Sequence, residues 1–436
     1  MRPGRRDHAH ARIVLPALLT AYTLAFIDRQ LISLLVQPIK HDLDLSDTQF
    51  GLLAGFAFAL FYVGVGLLMG HASDRVNRRN LILLGMALWV SATAATAWAS
   101  GFWTLALTRA LVAIGEATLN PAALSMLADA FPAHQRARAV GAYSTGAFIG
   151  AGLALILGGA LMHATQQTAW IELPLLGGFR PWQAAFLLAA LPGLVALPLM
   201  WCVSEPGRAA QRTCAPQHAS AERPDGKDRR LVLACVIGGF ALLAMTSYGT
   251  MVWLPAAFIR TWGWTTAEAG LTYGLLLLSF GIAGMLAAGW ITDRSTSRGH
   301  RQAALALSCT CGWLLLPGAV GLMLARSAAM AVAAAAVITL LVGMVVSLTS
   351  TTVLAIAPAR SRGKLIAITM LAVNLVGLGL GPAAVAVFTD GLFADEGKVH
   401  LSIGLLIVLS AVGGTAALGV AVSRGGEQRR PLRAPS

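Results

Sequence analysis

The chain has 436 residues, 57% of them hydrophobic and only 12% charged, where an average soluble domain is about a quarter charged. That is too little polar surface to coat a soluble globule, and an integral membrane protein is the first reading. A net charge of +13 would suggest nucleic acid in a soluble protein. Here the basic residues sit in short segments between apolar runs, the pattern of cytoplasmic loops in a membrane protein, which leaves no place for nucleic acid as a partner.

Residues 1–12, MRPGRRDHAHAR, form a basic tail expected to lie in the cytoplasm. The apolar stretch after it is longer than the core of a secretory signal and contains Asp28 and Arg29, so it reads as an uncleaved first span. Further apolar runs follow near 49–70, 80–100, 103–127, 138–162 and 183–203, the first being 13–37. After a gap they resume near 231–258, 268–292, 302–324, 330–355, 364–390 and 399–422. Each can cross roughly 30 Å of hydrocarbon as a helix, and helix is required because unpaired backbone groups cannot face lipid. The gap 204–230 is polar, rich in proline and charge, and without apolar periodicity. It reads as a cytoplasmic linker between two six-helix bundles, 13–203 and 231–422, with a cytoplasmic tail at 423–436. The expected fold is therefore all-α, with 12 transmembrane helices in two bundles.

Orientation follows from Lys and Arg. Both tails, the linker and the loops after spans 2, 4, 8 and 10 carry 25 of them. The opposite side carries five: Lys40, Arg180, Arg260, Arg326 and Lys398. That bias places both tails in the cytoplasm of a plasma membrane, a bacterial inner membrane being expected. The two bundles also echo each other. Gly70, Asp74 and Arg75 recur as Gly289, Asp293 and Arg294, 219 positions on. Pro132, Arg136 and Arg138 recur as Pro358, Arg362 and Lys364. Both matches fall at equivalent loops, which indicates internal duplication.

These loops carry a resemblance. GHASDRVNRR, residues 70–79, is similar to the signature between spans 2 and 3 of the major facilitator superfamily, with Asn77 where a glycine is usual. The resemblance implies pseudo-symmetric bundles rocking around a central site, with Gly70, Asp74, Arg75, Arg78 and Arg79 in a latch on one end state.

Asp28 and Glu116 are the acids near the middle of a span, and Arg29 and Arg109 the bases. Each costs roughly 2.5–3.5 kcal/mol at a helix centre, so four facing lipid would cost on the order of 10 kcal/mol. They are expected to face a cavity or one another. On span 4, Arg109, Glu116 and Asn120 are spaced i, i+7 and i+11, on one face. Two turns, roughly 10 Å, separate Arg109 from Glu116, and side chains lean toward the helix N-terminus, so partners on span 1 are expected instead. Span 1 runs outward and span 4 inward, which brings Asp28 to the depth of Arg109 and leaves Glu116 nearer the cytoplasm. Adjacent residues diverge by about 100°, so Asp28 and Arg29 need different partners. Burial favours a neutral acid and a nearby arginine favours the carboxylate. Moving the arginine therefore moves a proton. Asp28 and Glu116 are the candidates for proton coupling, and Arg29 and Arg109 for an anionic group on the substrate or as counter-ions.

Phe26–Arg29 in span 1, Arg109 and Glu116 in span 4, QPIKHDLDLSDTQFGLL at 37–53 and PARSRG at 358–363 resemble spinster-like members of the superfamily. That resemblance implies lysolipid or sphingosine-phosphate-type substrates and proton coupling. Sugar-acid:proton symporters share much of the pattern. Tyr22, seven residues before Arg29, is a candidate cavity residue, as are Asn120, Ser247, Tyr248, Thr349 and Asn374, although Ser and Thr also bond back to helix carbonyls. The glycines of 146–159 and 375–382 read as close helix packing. His71 and His163 lie at span ends. Cys202, Cys214, Cys235, Cys309 and Cys311 have no metal-ligand spacing. No cofactor or metal is expected, and no nucleophile or acid/base constellation of an enzyme is present.

The expectation is a monomeric secondary transporter, proton-coupled, moving an anionic amphiphile or organic anion through the bilayer. The alternatives are a sugar-acid:proton symporter or a drug/proton antiporter, and beyond those a lipid-acting membrane enzyme or a non-transporting sensor.

Overall fold

The structure, a computed structural model, describes residues 5–73, 75–165, 168, 170–173, 177–205, 227–298, 300, 302–356 and 362–427. Among them are eleven helices long and apolar enough to cross a membrane, and a twelfth span when the bent pair Ile13–Leu34 and Val36–Leu43 is taken as one. Span 1 is that pair. Spans 2 to 6 are Asp47–Ser73, Arg78–Trp98, Phe102–Ala130, Arg138–Ala164 and Pro181–Trp201. Spans 7 to 12 are Arg230–Trp262, Thr266–Ser297, Ala303–Met323, Ala328–Ile356, Leu365–Phe393 and Glu396–Arg424.

Hydropathy marks the lipid slab, not the helix ends. The first helix starts at Arg5, inside the expected tail, the helix of span 7 starts at Lys227, inside the expected linker, and the last helix runs to Glu427. Once a span has nucleated the helix, adding polar residues beyond the membrane costs little. The rest of the linker and of the final tail lies outside the described residues. A short antiparallel hairpin, Ile171–Leu173 (β1) against Gly177–Phe179 (β2), occupies what reads in sequence as a loop between spans 5 and 6. Span 1, read in sequence as one straight run, bends by 62° between Leu34 and Val36. Pro38 sits four residues after Leu34 and cannot donate to its carbonyl, and Leu35 leaves helical geometry at φ −92°, ψ 12°.

Several span starts are capped locally. Ser46 and Gln49 form a reciprocal capping box at span 2, and Asn77 accepts from the Asn80 amide at span 3. The residue that departs from the superfamily's usual glycine thus serves as the N-cap of span 3.

Close packing sets the depth of the charged residues. Spans 3 and 4 meet backbone to backbone: a Cβ on Gly85 would lie 2.6 Å from the Gly115 carbonyl, and one on Gly115 2.7 Å from the Gly85 carbonyl. Span 5 does the same to span 1, where a Cβ on Gly150 would fall 2.2 Å from the Thr23 carbonyl. The first six spans and the last six join at one end. There Gly51 and Gly55 of span 2 press on Pro382, Ala386 and Gly379 of span 11, and Gly152, Gly270 and Gly274 interlock spans 5 and 8. Toward the other end these helices have room: among the described residues nothing lies within 4 Å of a Cβ placed on Gly64, Gly66, Gly70, Gly141 or Gly289. The π-helical segments Leu52–Ala57, Leu277–Gly281, Val373–Leu380 and Phe388–Phe393 fall in spans 2, 8 and 11, which belong to this seam.

Candidate functional site

All four mid-span charges meet. Asp28 and Arg109 form one ion contact, Nη1 to Oδ1 at 3.6 Å, longer than a hydrogen bond. Arg29 and Glu116 form the other: both Nε, at 3.2 Å, and Nη2 of Arg29 donate to the same Oε2 of Glu116. Span 1 therefore supplies an acid and a base on diverging faces, and span 4 supplies the opposite pair two turns apart. Asp28, Arg109 and Glu116 are buried, while Arg29 keeps 12% of its side chain exposed.

The two pairs are held differently. Asp28 is anchored by Thr93 of span 3, whose hydroxyl donates to Oδ2 at 2.6 Å. Its Oδ1, the Nε and Nη1 of Arg109 and Oε1 of Glu116 are buried without a hydrogen-bond partner among the described residues. Arg29 lies against three aromatic rings, with its guanidinium carbon 4.8 Å from the centroids of Phe26 and Phe58 and 4.9 Å from that of Tyr62. Arg109 reaches the same Phe58 ring at 5.4 Å. Ring faces stabilise a cation, so both arginines keep a second attraction when a carboxylate leaves.

One turn beyond Glu116, Asn120 donates to the Tyr62 hydroxyl at 2.9 Å and accepts from the Tyr143 hydroxyl at 2.7 Å. Tyr22 stacks on Tyr143 with centroids 4.5 Å apart. From the other half, Tyr248 packs on the cluster that holds Tyr22, Tyr62 and Tyr143, and its hydroxyl points to Asn374 at 3.4 Å. Four of the chain's five tyrosines, from spans 1, 2, 5 and 7, thus gather beside Arg29. Tyr22, Arg29, Asn120, Tyr248 and Asn374 are half-buried, a polar and aromatic surface between the halves. Ser247 is buried, its hydroxyl without a hydrogen-bond partner among the described residues, and Thr349 bonds back to the Val345 carbonyl at 2.8 Å. Among the described residues, neither hydroxyl hydrogen-bonds to the charged residues. Thr93, Phe58, Tyr62 and Tyr143 were not singled out in sequence. The signal available was a polar or aromatic side chain in mid-span, which by itself does not tell lipid from cavity.

Of the loop between spans 2 and 3, Asp74 lies outside the described residues. Arg78 is buried and donates to Asp129 at 2.5 Å, Ser125 at 2.9 Å and Glu205 at 3.0 Å. It ties span 3 to the ends of spans 4 and 6. Arg79 donates to the carbonyls of Trp201 and Val203 and stacks on Trp201 at 5.7 Å. Arg75 is exposed and Gly70 half-buried. These contacts hold the first six spans to one another.

Two sets of six spans, sealed together at one end and holding ion pairs at mid-membrane, have the architecture of a carrier that exposes a central site to one side at a time. Residues 18–382 match the Major Facilitator Superfamily, and the chain belongs to that family of membrane transporters. It is 32% identical over 298 residues to an MFS-type efflux pump of Mycolicibacterium smegmatis, covering 68% of this chain and 66% of the relative. It is 25% identical over 321 residues to the D-galactonate transporter of Escherichia coli, covering 68% and 70%. Against human protein spinster homolog 1 it is 26% identical over 273 residues, 60% of this chain and only 47% of that longer protein. Among solved structures, a bacterial homolog to the human lysosomal transporter spinster, crystallised inward-facing and occupied, superposes with a TM-score of 0.77 at 25% identity over 98% of this chain and 99% of that one. Its unoccupied inward-facing form gives 0.75.

Proposed function

We propose that this chain is a proton-coupled secondary transporter of an anionic amphiphile or organic anion, working by alternating access. The observation that carries the reading is the pairing of Asp28 with Arg109 and of Arg29 with Glu116. Each acid can take a proton only when its arginine is drawn elsewhere, and an incoming anion is what draws it. Arg29 is the better anion contact, because it is half-buried and braced by rings. The tyrosine and phenylalanine surface beside it suits an apolar portion of the same substrate. Both tails face the cytoplasm by the distribution of Lys and Arg, so the splayed end faces the cytoplasm and the closed end faces outward. Arg75, Arg78 and Arg79 then sit at the end that faces the cytoplasm, where the loop that carries them would latch the opposite state.

The test is purified protein in liposomes with an imposed pH gradient, screened with lysolipids, sugar acids and cationic dyes. Gradient-driven flux of an anion is expected, abolished in Asp28→Asn and in Glu116→Gln. Full gradient-driven uptake by both variants would sink the coupling. Similarity to a protein named as an efflux pump favours a second reading, export of drug-like compounds. Flux of cationic dyes without anion flux would select it.

A further inference from the structure

At the closed end four side chains form a ring of alternating charge. Lys40 contacts Asp47. Asp47 accepts two bonds from Arg260, Nη1 to Oδ2 at 2.5 Å and Nη2 to Oδ1 at 2.8 Å. Arg260 Nη2 lies 3.5 Å from Oε2 of Glu396, and Oε1 of Glu396 accepts from Lys40 at 2.8 Å. Lys40 and Asp47 belong to the first half, Lys40 to the bent outer part of span 1 and Asp47 to the first turn of span 2. Arg260 ends span 7 and Glu396 begins span 12. Two sides of the ring, Asp47–Arg260 and Lys40–Glu396, cross the seam between the halves. The other two, Lys40–Asp47 and Arg260–Glu396, stay within a half.

The surroundings make the ring a closure and not a surface decoration. Asp47 and Lys40 are buried and the side chain of Arg260 is 5% exposed, while that of Glu396 is 57% exposed to solvent. Beside it the amide and hydroxyl of Thr48, in the first turn of span 2, both donate at 2.7 Å to Asp390 of span 11. Arg260 also stands over the Trp253 ring at 5.5 Å.

We infer that this ring is the gate of the closed end, and that it opens by exchanging no partners. Parting the halves breaks the two crossing sides and keeps the two internal ones. Each half then leaves with a neutral pair: Lys40 with Asp47, and Arg260 with Glu396. A single crossing pair would instead strand one lone charge in each wall, which burial penalises heavily. Asp47 is the keystone. It is the most buried member and carries both cations, so neutralising it sets Lys40 and Arg260 against each other across the seam. The inference rests on the chain being a carrier that alternates, and not on which substrate or ion it moves.

The test is a distance across the closed end. Nitroxide labels at His41→Cys and Leu392→Cys, in full-length protein with its five native cysteines changed to serine, are read by pulsed electron spin resonance in lipid nanodiscs without substrate or pH gradient. The parent should give one short distance. Asp47→Asn should move the open-to-closed ratio about tenfold or more toward a second, longer distance, as expected when one partner of a buried pair is removed. Glu396→Gln should produce the same longer distance with a smaller shift. A contact that merely stabilised the fold would lower the melting temperature without a second distance. Parent-like distances in both variants would overturn the gate. If Asp47→Asn does not fold, the exposed position of Glu396 lets Glu396→Gln decide alone. Because the readout needs no flux, its failure leaves proton coupling standing, and loss of coupling leaves the gate standing.

Discussion

Glu116 offers a perturbation whose size follows from the geometry. Removing one partner of a buried ion pair costs about 3–5 kcal/mol, because the other charge is left uncompensated. Arg29 keeps three ring faces within 5 Å and is 12% exposed, and a glutamine oxygen can still accept from it. Glu116→Gln should therefore lie at the low end, about 3 kcal/mol. Replacing both partners with apolar residues of similar volume is often neutral or stabilising. The double variant Arg29→Met/Glu116→Leu should then unfold within about 4 °C of the parent, while Glu116→Gln unfolds clearly lower. The assay is thermal unfolding in detergent, paired with gradient-driven uptake in liposomes. Both variants should lose uptake, and only the single variant should lose stability. A double variant as unstable as the single one would refute the reasoning, since it would mean that the pair is held by packing of its methylenes and not by charge compensation. A double variant with full gradient-driven uptake would refute the functional role of the pair.

The remaining predictions use other parts of the structure. Gly85→Ala would place a Cβ 1.9 Å from Thr118 Oγ1 and 2.6 Å from the Gly115 carbonyl, and should cost about 1–3 kcal/mol of overpacking. Gly64→Ala, with open space around it, should be near neutral, and the two melting curves compare them directly. Asn120→Ala unties Tyr62 and Tyr143, each left hydroxyl costing about 1–3 kcal/mol if it stays buried. Concentration-dependent uptake should show a raised KM with kcat less affected. For orientation, a membrane-impermeant thiol reagent applied to intact cells should label His41→Cys and spare Arg75→Cys, and the reverse would invert the topology.

Much of the fold is legible because lipid tolerates few solutions. Apolar runs of span length must be helices, and their even number fixes which loops share a side. The pairing across spans 1 and 4 is legible in part, because adjacent Asp28 and Arg29 point apart and because opposite helix directions match Asp28 to Arg109 in depth. What periodicity could not supply was the support. Thr93 and Tyr143 lie on other helices, and nothing local distinguishes them from residues facing lipid. Phe58 and Tyr62 read as ordinary apolar packing until span 2 is set against Arg29. The bend at Leu35 is hidden because the apolar run at 13–37 passes through it without a break, and only the missing amide of Pro38 hints at it.

The sequence by itself determined a membrane-spanning helical chain in two echoing sets of six, with four charges that had to find one another. Those follow from the cost of exposing backbone and charge to hydrocarbon, which depends on composition and spacing alone. The tertiary structure decided which end is sealed, which rings brace Arg29, and that Lys40, Asp47, Arg260 and Glu396 close into one ring. Those depend on how helices distant in sequence lie side by side, which small-residue contacts such as Gly85 with Gly115 and Gly55 with Pro382 fix, and which no single helix records in its own residues.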